Sequence, residues 1–173
     1  SECIENARTR IGNYCKACPE CNGRACKNQM PGPGAKGIGD TAIRNYDKWK
    51  EIRVQMDTIA ENKPVDTSLE LFGKKFLYPF FAGPVGAVGL HYGDCLDDVR
   101  YNDILVSACA KYGIAAFTGD GLDSNVMVAA TKAIGKTDGI GIPTVKPWNI
   151  DTVAEKMKMV QESKAFAVAM DVD

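Results

Sequence analysis

Four short apolar runs begin near residues 79, 114, 140 and 165, and each is separated from the next by a stretch of helical periodicity. Runs that recur about every 25 to 35 residues in this way restrict the chain to strand–helix alternation, with a parallel sheet and right-handed crossovers. The runs at 79–83 (PFFAG) and 114–118 (IAAFT) have no polar side, as expected of strands buried on both faces. A third strand is predicted at 140–146 and a fourth at 165–173. Pro143 removes a ladder donor from the third. Between the runs, Asp97 or Asp98 is read as the cap of a helix through Tyr101, Leu105, Ala108 and Cys109, stopped by Gly113. Ser124 opens a second helix through Val126, Met127, Ala130 and Ile134, closed by Gly135. Thr152-x-x-Glu155 reads as the capping box of a third, with Val153, Met157 and Val160 on one face.

Four such units can make a small open sheet or half of an eight-stranded barrel. Neither a G-x-G-x-x-G nor a Walker A sequence follows any of the runs, which favours the half-barrel. Ahead of the first run, Leu69 and Leu71 alternate with polar neighbours and the pattern breaks at Gly73-Lys74-Lys75, so a two-stranded flap is expected there. Behind it, Gly83-Pro84-Val85-Gly86-Ala87 is a bend of small residues at a strand's carboxyl end. A tight strand-to-helix connection and a ligand cradle both fit that composition.

The N-terminal part differs in kind. Residues 2–14 read as a short polar helix, and a Pro/Gly-rich linker covers 31–39. Asp40 or Thr41 caps a helix whose imperfect apolar stripe runs to Ile59, before Pro64. Two domains follow: 1–40, Cys-rich with a linker, and 41–173, the strand–helix part. Four of the seven cysteines, Cys15, Cys18, Cys21 and Cys26, fall in a C-x₂-C-x₂-C-x₄-C run. That spacing resembles the ligand run of ferredoxins more than a zinc knuckle. An Fe–S cluster, zinc and free thiols all remain open, and the four cysteines are the candidate metal ligands. The first ten residues hold no apolar signal segment, so a reducing cytoplasm is the expected compartment. The net charge of −1, with both signs interspersed, gives no nucleic-acid surface and no membrane-binding face. His91, the single histidine, is read as a solvated loop residue.

Leu71-Phe72-Gly73, Pro79 and the 83–87 bend resemble a segment of the FMN-dependent α-hydroxy-acid oxidase and dehydrogenase family (glycolate oxidase, lactate oxidase, flavocytochrome b2). Arg44-Asn45 and Ile52-Arg53-Val54 upstream, and Ala169-Met170-Asp171-Val172-Asp173 downstream, add to the likeness, which covers about residues 41–173. The resemblance implies a (β/α)₈ TIM barrel, with this chain as its first four βα units. It implies FMN as cofactor and oxidation of a small L-2-hydroxy acid of the lactate or glycolate type by hydride transfer to flavin.

It further implies that Pro84, Val85 and Gly86 lie against the flavin ring, with Thr118 and Gly119 near the ring edge. Thr144 stands where the family has a glutamine bonded to flavin, and Asp171 where it has a threonine near the ring. Lys146 replaces a tyrosine that touches substrate. Asp173 matches the aspartate that pairs with the catalytic histidine, so Lys146 and Asp173 are the catalytic candidates. The histidine itself and a substrate-clamping arginine belong to the family's second half, so this chain alone is expected to be inactive. A homo-oligomer is expected, with an electron acceptor that the sequence does not specify. Two other readings compete: a flavin barrel without net redox, of the type 2 isopentenyl-diphosphate isomerase kind, and a non-enzymatic metal-binding module.

Overall fold

The computed structural model describes residues 1–11, 15–27 and 40–172. They form two compact units, residues 1–64 with 89–95, and residues 65–88 with 96–173.

The first unit contains α1 (Glu2–Arg10) and α2 (Thr41–Trp49). Glu2 and Glu5 in the first turn of α1, and Arg8 and Arg10 in its last, match the helix dipole. The helix buries nothing and its C-cap Ile11 is already extended, while residues 12–14 of the expected span lie outside the described residues. The stripe expected down to Ile59 breaks at Trp49. Val54 and Ile59 are more than nine-tenths exposed and residues 51–64 carry no helix or strand. Apolar spacing alone does not hold a helix when its side chains find no surface to pack on.

In the second unit the expected flap is present, as β1 (Leu69–Leu71) paired antiparallel with β2 (Lys74–Phe76). Phe72 and Gly73 both have positive φ, the two-residue turn whose twist suits a hairpin. Phe76 is buried and its ring meets Phe81 edge-on at 4.8 Å and Phe166 at 5.4 Å, so the flap seats at the amino ends of the strands. The strand expected at 79–83 pairs only at Ala82, which bridges Ala116 in parallel. Next to it run β3 (Phe117–Thr118), β4 (Ile142–Val145) and β5 (Ala169–Met170), all parallel and in chain order.

Pro143 is tolerated inside this sheet. Ile142 N–H bonds to Ala116 on the β3 side, so by alternation the missing Pro143 donor faces β5, whose pairing starts one residue later, at Thr144.

Following α3 (Val88–Tyr92), the helices α4 (Asp98–Lys111), α5 (Ser124–Lys136) and α6 (Ile150–Glu162) cross between strands. Val106, Cys109, Ala116, Ala133 and Ile134 form one core cluster under α4 and α5, while Met127, Val145 and Val160 form another under α6. Burying these faces supplies roughly 1.5–3 kcal/mol for each large side chain.

Asp97 caps α4 as expected, accepting from Arg100 N–H. Two expectations are corrected. Gly135 lies inside α5, and the helix stops where Asp138 and Gly139 take positive φ. A Cβ on Gly139 would stand 2.1 Å from the Lys164 carbonyl oxygen, so only glycine fits that turn. At α6 the cap is Asn149, which accepts from Thr152 N–H, and the helix starts before the proposed capping box. Lys156 and Val160 are its buried residues, whereas Met157 stays exposed.

Candidate functional site

A pocket of about 460 Å³ runs along the inner face of the second unit's sheet. Leu69 of the flap, Phe80, Phe81 and Phe117 line it, together with Gly83, Pro84, Thr144, Ala169 and Asp171. At Gly83, Pro84 and Asp171 it reaches the strands' carboxyl ends, where parallel α/β folds hold ligands, because loops there can vary without disturbing the sheet.

The expected cofactor residues divide. Pro84, Thr144 and Asp171 line this pocket together. Thr118 does not, because Phe117 faces the pocket and successive strand residues point to opposite faces. Its hydroxyl is buried without a hydrogen-bond partner. Gly86 and Gly119 lie against one another, off the pocket lining. A Cβ on Gly119 would stand 2.4 Å from Gly86 N, and one on Gly86 2.8 Å from the Asp120 carbonyl oxygen. Only backbones without side chains can approach that closely. Gly83 differs, with nothing near its Cβ position, so it leaves the pocket wall open. Val85 is half-buried beside this bend and does not line the pocket.

Of the catalytic candidates, Lys146 reaches the pocket's end through Asp171, its Nζ donating to Asp171 Oδ2 at 2.9 Å. Both side chains remain about a third to a half exposed, at 34% and 46%. Asp173 lies outside the described residues.

Thr144 carries the clearest chemical demand. Its residue is 5% exposed and its Oγ1 is buried with no partner. Leaving a buried hydroxyl unpaired costs on the order of 1–3 kcal/mol, which a ligand atom at that point would recover.

Asp120, which carried no role in the sequence reading, anchors the neighbouring loop. Its side chain is 0% exposed and pairs with Lys156 Nζ. Gly121 N–H donates to Oδ1 at 2.9 Å, Lys146 N–H to Oδ2 at 2.9 Å and the Trp148 indole N–H to Oδ2 at 2.7 Å. The Lys156 ammonium also lies 5.0 Å from the Trp148 ring centroid. Burial works to raise the Asp120 carboxyl, yet the bonds from Lys146, Lys156, Trp148 and Gly121 together hold it below its ordinary value. The only local hint was an aspartate at the end of an apolar strand.

The cysteine run lies in the first unit. Among the described residues no group of three or more His, Cys, Asp or Glu side chains is arranged to hold a metal ion. None of the four cysteines is in a disulfide. They do share a neighbourhood. The Cys26 thiol is pushed up chiefly by burial, against a backbone hydrogen bond that lowers it, with Cys21, Cys15 and Cys18 adding to the rise. His91 sits half-buried in α3, its ring edge-on to Tyr92. Among the described residues no helix is long and apolar enough to cross a membrane.

The model of one protein family, described as FMN-dependent dehydrogenase, matches residues 32–173. No curated protein and no solved structure matches the chain.

Proposed function

The chain belongs to the FMN-dependent dehydrogenase family, and from that premise we propose that it serves the oxidation of a small L-2-hydroxy acid to the 2-oxo acid, with the inner-face pocket as the flavin site. The observation that carries the reading is Thr144, a buried, unpartnered hydroxyl near the end of β4 on an otherwise largely apolar pocket. A planar, polar-edged ring system suits such a pocket, since the apolar wall takes its face and the orphan hydroxyl takes an edge atom. Sequential parallel order from Ala82 through β5 supports a barrel architecture, because a doubly wound sheet reverses its order at a switch point.

When bound, FMN supplies a two-electron acceptor for the hydride leaving the substrate carbon. The chain's own residues do the rest of what is proposed. Phe80, Phe81, Phe117 and Pro84 keep water from the ring. Thr144 hydrogen-bonds a ring-edge atom. Lys146, at the pocket's end, offers its ammonium to the substrate carboxylate, and Asp171 holds that ammonium in place until an anion arrives. Asp173 is assigned the role of stabilising an imidazolium formed as the substrate hydroxyl loses its proton. That histidine is not His91, which the resemblance leaves without a role.

The test is expression of the full-length polypeptide with FMN, followed by a screen of 2-hydroxy acids with an artificial acceptor. Thr144→Val is expected to weaken FMN binding about tenfold, the worth of one hydrogen bond to a buried ring. Unchanged FMN affinity in that variant would move the flavin elsewhere. A flavin-loaded protein that oxidises none of the 2-hydroxy acids but isomerises an allylic diphosphate would overturn the substrate class and leave the cofactor standing.

A further inference from the structure

The β4–α6 connection leaves the sheet beside the pocket, and its first residue is Lys146. A short loop such as 146–149 would normally let a lysine side chain sample many positions, at an entropic cost whenever one of them is used. Here four donors of the surrounding structure converge on one carboxylate. Asp120 Oδ2 takes both the Lys146 backbone N–H and the Trp148 indole N–H, and Oδ1 takes Gly121 N–H and the Lys156 ammonium from α6. The carboxylate is fully buried and Lys156 nearly so, at 0% and 7% exposure. The other end of the Lys146 residue, its ammonium, meets Asp171 on the pocket wall.

We propose that Asp120 is a positioning residue, which by pinning the backbone at Lys146 and the indole of Trp148 to α6 fixes where the Lys146 ammonium stands and so sets the pocket's affinity for a carboxylate. The inference rests on the reading of Lys146 as the substrate-carboxylate contact. Asp120 itself touches neither pocket nor ligand, and its effect passes through the chain at Lys146.

A double-mutant cycle on the FMN-loaded protein tests it, with oxalate as the probe, a small carboxylate with no hydrogen to give up. Lys146→Met is expected to weaken oxalate binding about tenfold. Asp120→Asn is expected to weaken it about three- to tenfold in the native background but less than about twofold in Lys146→Met, while FMN affinity stays within about twofold throughout. If Asp120→Asn does not fold, Trp148→Phe removes one donor and leaves the carboxylate paired, and the same non-additivity is expected at about half the logarithmic size. Equal losses in both backgrounds, or a parallel fall in FMN affinity, would make Asp120 merely structural and overturn the proposal. A silent Lys146→Met would instead remove the carboxylate contact itself, and this inference with it.

Discussion

Close to where β4 ends, the second unit holds two lysine–carboxylate pairs that differ in little but their surroundings. Asp120–Lys156 is sealed, with side chains 0% and 7% exposed and every carboxylate oxygen engaged by further donors. Asp171–Lys146 stands at the pocket's end with 46% and 34% of its side chains in solvent. Charges in the first pair cannot exchange partners without leaving an ion bare in the interior, so the pair holds backbone in place. Charges in the second lose little by separating, because water and salt compensate, so a substrate anion can displace Asp171. The same chemistry gives a fastener in one place and a contact held in reserve in the other.

The largest expected effect separates the two pairs directly. Asp120→Asn should cost about 3–5 kcal/mol in urea unfolding, since it strands the Lys156 ammonium, whereas Asp171→Asn should cost under about 1 kcal/mol. Comparable losses from both would break the distinction. Next, replacing the whole buried pair, Asp120→Leu with Lys156→Met, should recover part of the loss caused by either single change, because no uncompensated charge is left behind, although the Gly121, Lys146 and Trp148 N–H groups lose their acceptor. A double variant less stable than Asp120→Asn would mean that the backbone and indole bonds to Asp120 matter more than its charge.

The pH dependence sharpens the contrast. Burial raises the Asp120 carboxyl and its hydrogen bonds lower it by more, so the folded value lies below the unfolded one. Its contribution is therefore fully present above the ordinary carboxylate range and is lost as pH falls through the depressed folded value. Urea midpoints of the native protein and Asp120→Asn should be far apart at neutral pH and draw together in acid. Curves that stay parallel would place the stabilising charge elsewhere. The smallest effect belongs to the exposed pair. Lys146→Met should change stability by less than about 1 kcal/mol, and its salt dependence should be weaker than that of the native protein. A larger loss would show Lys146 to be a structural residue.

Much of the strand–helix order was legible because it depends on short-range properties. The flap follows from alternation at Leu69 and Leu71 with a turn at Phe72-Gly73, and the cap of α4 from Asp97 ahead of an apolar stripe. Other readings failed where two equivalent signals lay close together. Asn149 and Thr152 are both good caps, and Asn149 wins because α6 packs Lys156 and Val160 inward from that start. Gly135 and Gly139 are both plausible stops, and contact with the Lys164 backbone selects Gly139. The stripe from Trp49 to Ile59 had a helical pattern but no surface to cover. Pro84, Thr144 and Asp171, singled out by motif position, lie together on one pocket. Thr118 faces away from the pocket by strand alternation, and Gly86 and Gly119 lie in close backbone contact.

The sequence alone determined the parallel strand–helix alternation, the flap, the family and a mildly acidic chain without a basic face, because each rests on spacing, composition or motif order. Only the tertiary structure decided what Asp120 does and where the open pocket lies. The donors that Asp120 gathers from Lys146, Trp148 and Lys156 are 26, 28 and 36 residues away along the chain. No local pattern encodes a meeting over such separations, since it exists only once β3, β4 and α6 have packed and water has been excluded from the carboxylate they share.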